Sequence, residues 1–355
     1  MKRVVVISHS SIIEGPIEYY IKYLKKNNYH ISTIDHPLND YQDRFTIFDN
    51  QKKLIMTKRS NRLGTLNLLV DFFLSIKYVL NNRFDIFIGA NNFDTFIGIF
   101  LKKIFLKKIA KIIYFASDYS EDRFKNILLN KIYYFVESIC CKYSDLVISN
   151  TKRAEKKRIV FGLKKEKSLI VPNGVLLNKN KFDKKVINKA NFIYVGSITN
   201  EHGLFNLIKN IYPLINKLVL IGYGDEWEAV VNICKNKHIK SELYYKKSHE
   251  FCINYLQNFN GFGLAPYNLN SKWTYYCSPL KVAEYISCGI PVIMSSVPEI
   301  AGYVKKSGFG IIFSKLNFDK ISSDLKFFDT SNFNIKAKKF YNYYNQNYLY
   351  SKIKL

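Results

Sequence analysis

The sequence predicts an α/β protein built from two doubly wound domains facing across a cleft. Two observations carry this prediction. Short β-branched or aromatic runs alternate with longer stretches of helical spacing, and the alternation restarts after a lysine-rich break at 178–189. The chain has 355 residues, room for roughly two domains at about 150 residues each.

In the first half, strands are expected at Val4–Ile7, Ile31–Ile34, Asp85–Ile88, Ile112–Phe115, Leu146–Ser149 and Leu169–Val171. Helical spacing fills Ile17–Lys26, Leu63–Leu80, Asp94–Lys107 and Leu128–Lys142. This order predicts a parallel sheet with helices on both faces, hence a Rossmann-like domain over 1–177. The second series has strands at Phe192–Val195, Leu218–Ile221, Gly263–Ala265 and Pro291–Met294, with a helix at Pro279–Ser287. It predicts a second Rossmann-like domain over 190–334. The Tyr-, Asn- and Lys-rich stretch 335–355 is expected as a helical tail along the surface.

Composition excludes several classes. Hydrophobic residues make up 48% and charged residues 23%, which is globular rather than disordered. The net charge of +26 is spread evenly, and all eight Arg precede Val175. Nucleic-acid readers lean on Arg for bidentate contacts, so no nucleic-acid partner is expected. An anionic membrane surface remains a physically reasonable one. The six Cys form no C-x-x-C and no zinc-finger spacing, so buried thiols in a reducing cytoplasm are expected. The N-terminus lacks the apolar run of a signal peptide. No stretch reaches about 18 apolar residues. The expected location is cytoplasmic, extending to peripheral at the inner face of the membrane.

The most informative segment is Ser278-Pro-Leu-Lys-Val-Ala-Glu-Tyr-Ile-Ser-Cys-Gly-Ile-Pro-Val292. Ser278 suits an N-cap, Pro279 the first helical position, Gly289 the left-handed exit and Pro291 the stop. A helix start carries N–H groups and a positive dipole end that suit phosphate. Lys281 adds a cation in that first turn. Glu284, three residues on, can accept from two vicinal ribose hydroxyls, and Leu280 lies beside them. The competing reading is an ordinary surface helix with a Lys–Glu pair.

This segment resembles the nucleotide-sugar-binding signature of GT-B glycosyltransferases, in which a Lys near the helix start meets the diphosphate and a Glu one turn later the ribose. Other stretches resemble the family in the right order. They are Val-Pro-Asn-Gly-Val (171–175), Phe-Ile-Tyr-Val-Gly-Ser-Ile (192–198), Leu-Val-Leu-Ile-Gly-Tyr-Gly-Asp (218–225) and Gly-Leu-Ala-Pro-Tyr (263–267). The resemblance implies a GT-B fold with an acceptor-binding N-terminal domain and a donor-binding C-terminal one. Gly196, Ser197, Gly222, Gly224, Pro266, Tyr267, Ser278, Pro279, Leu280, Lys281 and Glu284 would line the nucleotide sugar. Glycines after apolar strands also let backbone approach a ligand closely. They serve equally as plain β–α turns.

Departures matter too. Ser197, His202-Gly203 and Tyr276 stand where many retaining members carry Arg, Lys-Gly and Glu. His202 reads as a surface-loop residue. No G-x-G-x-x-G, P-loop or Asp-x-Asp metal motif appears, so neither a redox cofactor nor a metal is expected.

In the N-terminal domain, Asp118 follows the strand at 112–115, where a carboxylate can deprotonate an acceptor hydroxyl. It suits an Asx turn as well. His9, Glu14 and Gly15 lie in the first β–α loop and are further acceptor-side candidates. Phe100–Lys111 and Leu63–Leu80 read either as core-facing helices or as interfacial segments on anionic lipid. The function that results is transfer of a sugar from a nucleotide diphosphate sugar to a saccharide or lipid-linked acceptor. A nucleotide-sugar epimerase or hydrolase of the same fold is the alternative, and a basic nucleic-acid-binding protein is a weaker one.

Overall fold

The computed structural model describes residues 2–9, 15–36, 44–49, 52–58, 67–116, 119–177 and 186–355. They form two compact units, one of residues 1–171 with 350–355 and one of 172–349.

In the first unit the described strands are β1 (Arg3–Ser8), β2 (His30–Asp35), β3 (Arg44–Asp49), β4 (Lys52–Lys58), β5 (Ile86–Gly89), β6 (Lys111–Ala116), β7 (Leu146–Ser149) and β8 (Ser168–Ile170). They form one sheet in the order β4-β3-β2-β1-β5-β6-β7-β8. All six expected strands are present, and they pair in parallel. The expected all-parallel sheet needs a correction, because β2–β3 and β3–β4 are antiparallel. That edge carries charges at its ends (Arg44, Asp49, Lys52, Lys53, Lys58), so its sequence reads as loop. Its register is pinned by Asp49, whose carboxylate accepts from Ser32 at 2.6 Å and meets His30 at 2.8 Å. Near-continuous apolar strands such as β1, with Val4 to Ile7 fully buried, are what a sheet covered on both faces requires.

The second unit holds β9 (Asn191–Ser197), β10 (Lys217–Tyr223), β11 (Lys240–Tyr245), β12 (Phe262–Ala265), β13 (Val292–Ser295) and β14 (Gly310–Phe313). They form a parallel sheet ordered β11-β10-β9-β12-β13-β14. The strand order reverses between β9 and β12, and these two pair only at Phe192–Phe262 and Ile193–Gly263. Beyond that point they splay apart. Tyr285 fills the gap: its hydroxyl accepts from the Val195 N–H at 2.8 Å and donates to the Leu264 carbonyl at 3.4 Å.

The stretch 335–355 is helical as expected and exposes one side, with Ile335, Tyr343 and Tyr348 about half exposed, but its other side is core. Helix Phe333–Tyr344 buries Phe333, Ala337, Phe340 and Tyr341 and packs on helix Leu280–Ser287. Its aromatic spacing is therefore a core face. The last residues belong to the first unit, where Tyr350 packs on Tyr20 and donates to the Pro16 carbonyl at 2.8 Å. All six cysteines are buried and none is in a disulfide. None of the described helices is long and apolar enough to cross a membrane.

Gly263 makes room for the Tyr285 ring, since a Cβ there would stand 2.3 Å from its Cδ2. Gly263→Ala is expected to cost about 1–3 kcal/mol, the range for overpacking a rigid core. Urea unfolding of the two proteins checks this.

Candidate functional site

Ligands of open α/β sheets bind beyond the carboxyl ends of the strands where the strand order reverses. Here that point is the splay between β9 and β12. The helix Leu280–Ser287 starts beside it, with Pro279 at the N-cap and no side-chain cap. The expected cap at Ser278 is thus corrected by one residue. Ser278 instead holds the chain entering the unit: its Oγ accepts from the Asn173 N–H at 3.2 Å and its carbonyl from Asn173 Nδ2 at 2.6 Å. Gly289, at φ 76°, closes the helix in the left-handed conformation as expected.

Lys281 lies in the first turn, its side chain half-buried. Its Nζ donates to Tyr194 Oη at 2.8 Å and stands 4.0 Å from the centre of that ring and 5.6 Å from that of Tyr267. Tyr194 in turn donates to the Ser197 carbonyl. Gly196 lets the amine come this close. Its φ is 121°, and a Cβ there would lie 3.2 Å from Nζ. The neighbouring turn is equally tight: a Cβ on Gly222 would meet the Gly196 carbonyl at 2.1 Å, and Gly224 has φ 145°. Burial pushes the Lys281 amine down to about 7, more than the Glu284 charge raises it. The amine thus stands against a hydroxyl and the π faces of two tyrosines.

Glu284 is 4% exposed and its Oε1 lies 2.6 Å from Nε2 of His249. His249 opens the helix His249–Asn258, and the sequence gives no signal for it, because the two residues are 35 apart. Tyr194 was legible in principle, since strand residues two apart share a face and it shares one with Gly196. His202 ends the short 3-10 turn Asn200–His202 and is half-buried rather than fully exposed. Burial first, then the Lys281 charge, hold its imidazole down at about 3, and Thr199 Oγ1 contacts its Nδ1 at 2.8 Å. Pro266 and Tyr267 continue β12, both buried. Tyr267 takes a φ of 33° and packs its ring 5.9 Å from that of His202. Leu280 is half-buried on the core. Of the C-terminal candidates, Gly196 and Tyr267 lie against the Lys281 amine, and Glu284 stands one turn further along the helix.

In the first unit, Asp118 and Glu14 lie outside the described residues. Gly15 caps the helix Pro16–Lys26, its N–H donating to Glu18 Oε2 at 2.7 Å. His9, just past β1, is buried: Nδ1 lies 2.6 Å from Asp94 and Nε2 4.0 Å from Asp71. Asp71 also stands 3.4 Å from Nδ1 of His36, whose Nε2 contacts Ser75 at 2.9 Å.

Comparison with known proteins bears on the fold. Residues 192–352 match the sequence profile of the family described as glucosyltransferase 3-like, C-terminal domain. A Klebsiella pneumoniae protein described as an uncharacterised 41.2 kDa protein in the cps region is 24% identical over 267 residues, 65% of this chain and 72% of its own length. Among solved structures, sucrose-phosphate synthase from Thermosynechococcus elongatus superposes with a TM-score of 0.72 at 13% identity, covering 99% of this chain and 97% of its own. The lipopolysaccharide outer core galactosyltransferase WaaB gives 0.68 at 18% identity, with 99% and 100% covered. Anabaena HepE in complex with UDP gives 0.67 at 12% identity, with 99% and 98% covered. The chain therefore has the GT-B fold, two Rossmann-like domains in one polypeptide.

The Lys281 ammonium is disfavoured in the folded protein, so below about pH 7 the native state carries the full burial penalty. The penalty fades as pH rises from about 7 towards the ordinary lysine range, because there only the unfolded chain still holds the proton. Lys281→Met is expected to stabilise the ligand-free protein most at pH 6 and progressively less up to pH 10. Urea midpoints across that range check the trend.

Proposed function

We propose that this chain is a glycosyltransferase that moves a sugar from a nucleotide diphosphate sugar to a saccharide or lipid-linked acceptor in polysaccharide biosynthesis. The observation that carries the reading is the Lys281 amine at the start of a helix, against the Gly196 turn, with Glu284 one turn along. The diphosphate would take the helix start and Lys281, and Glu284 would accept from the ribose hydroxyls with His249 fixing its carboxylate. The resemblance to a glucosyltransferase-like domain, and to structures named for UDP and for sugar transfer, supports it. In this reading the departing diphosphate is met by Lys281 and the backbone dipoles, so no metal is required. The transferred sugar leaves its diphosphate as the acceptor oxygen bonds to the anomeric carbon, and the acceptor proton passes to a base on the N-terminal domain.

Binding an anion beside a desolvated amine restores the amine's proton. Nucleoside diphosphate binding at pH 8 is therefore expected to take up close to one proton. Calorimetry in buffers of different ionisation enthalpy reads this directly. Lys281→Ala should abolish the uptake and weaken binding by about 1.5–3 kcal/mol. Unchanged affinity with unchanged uptake would refute the site. A thermal-shift screen of nucleotide sugars, followed by product analysis with and without acceptor, separates transfer from epimerisation or hydrolysis.

For the base we propose Asp118, acting in an inverting transfer. One observation favours a second candidate: the His9 imidazole stands 2.6 Å from Asp94, the pairing that orients a basic histidine. Removing the true base should lower turnover by about 10²–10⁴ while donor binding persists. Asp118→Asn and His9→Gln, compared by turnover and by the anomeric configuration of the product, identify it. A retained configuration would refute the inverting route.

A further inference from the structure

Helices Asn67–Asn81, Asn92–Lys103 and Ile127–Tyr143 pack side by side in the first unit. The Phe72 ring meets Phe96 and Phe100 at 6.3 and 5.6 Å, and Cys140 Sγ donates to the Asn92 carbonyl at 3.1 Å. The carboxylates of this layer are Asp71, Asp94 and Glu137, and all three have 0% exposure. The first two stand against His36 and His9, and Glu137 against Arg158 at 3.0 Å. The exposed charges on the three helices are therefore lysines: Lys77, Lys103, Lys131 and Lys142 are exposed, while Lys102, half-exposed, pairs at 3.3 Å with Asp145 just past the third helix.

Between these lysines the surface is apolar. Leu128, Ile132 and Phe135 recur at i, i+4 and i+7 and are 65%, 51% and 65% exposed. The opposite side of the same helix buries Tyr133, Glu137, Cys140 and Cys141, so both faces are apolar where a surface helix presents a polar outer face. Phe73 on the first helix and Leu106 just past the second are as exposed as these or more so.

We propose that the outer face of this layer docks on an anionic lipid surface, its apolar side chains entering the acyl boundary and its lysines meeting the headgroups. The chemistry is that of an interfacial rather than a spanning segment: apolar residues at helical spacing, flanking lysines and no exposed carboxylate on the three helices themselves. A second copy of the chain fits less well, because an isologous contact would set the exposed lysines against one another with no carboxylate of the three helices to receive them. The inference stands independently of the nucleotide site.

The test is cosedimentation of the full chain with vesicles of phosphatidylglycerol and phosphatidylcholine, against phosphatidylcholine alone. Binding is expected on the anionic vesicles, weakening as salt screens the lysines. The triple variant Leu128→Gln, Ile132→Gln, Phe135→Gln should lose about tenfold or more in partitioning, and Lys103→Glu with Lys131→Glu should lose the preference for anionic lipid. Phe327→Gln, which removes an apolar side chain 77% exposed in the second unit, should bind as the parent does. Unaltered melting temperatures establish that the variants are folded. Equal binding by the triple variant, or none by the parent, overturns the proposal. So does a concentration-dependent dimer, without lipid, that the triple variant abolishes.

Discussion

An amine drawn partly out of water is the constraint on which the second unit is arranged. Lys281 reaches its position only because three separate decisions of the chain agree. Gly196 removes a Cβ that would stand in its path. Tyr194 offers a hydroxyl and a ring, and Pro279 starts the helix so that the lysine falls in its first turn. None of these supplies a formal negative charge in contact with the amine, and desolvation outweighs the help from Glu284. An ammonium so placed is destabilised in the fold, and under the proposed function a diphosphate would relieve that cost.

The splay of β9 from β12 follows the same logic at the level of the backbone. Two strands that stop pairing after two residues leave polar groups that must be satisfied. Tyr285 answers for Val195 and Leu264 with one hydroxyl. The ring that delivers this hydroxyl needs Gly263 beneath it, and its helix carries Lys281 and Glu284 on the turns before it. Sheet topology, core packing and ligand geometry are thus coupled through a single short helix.

Much of this was legible in the sequence, and the boundary of legibility is physical. Glycines after apolar strands, and the Pro and Gly that bracket residues 280–287, act locally, so the strands, the helix and the lysine could be read from them. What depends on the third dimension could not. His249 reaches Glu284 from another helix. His202 looked like a loop residue because its neighbours in sequence are polar, whereas its neighbours in space are Tyr267, Trp273 and Lys281. The β3–β4 edge was missed because its charged ends mask a ladder whose register rests on Asp49. The C-terminal stretch misled for the opposite reason: its Tyr and Asn content suggested a wet surface, but Phe333, Ala337, Phe340 and Tyr341 share one face and form core.

The first unit treats charge in a way that composition conceals. A net charge of +26 looks like a diffuse property of the chain, and along the sequence it is evenly spread. Folding makes it local. By drawing Asp71, Asp94 and Glu137 inside against His36, His9 and Arg158, the helical layer removes each carboxylate from its own surface and leaves the lysines there. Buried ion pairs of this kind contribute little net stability, because desolvation offsets most of their attraction. Their consequence lies outside: the three helices expose lysines beside leucine, isoleucine and phenylalanine, and no carboxylate of their own. Sequence counting finds the excess of lysine, but which face carries it is decided by where the carboxylates are buried.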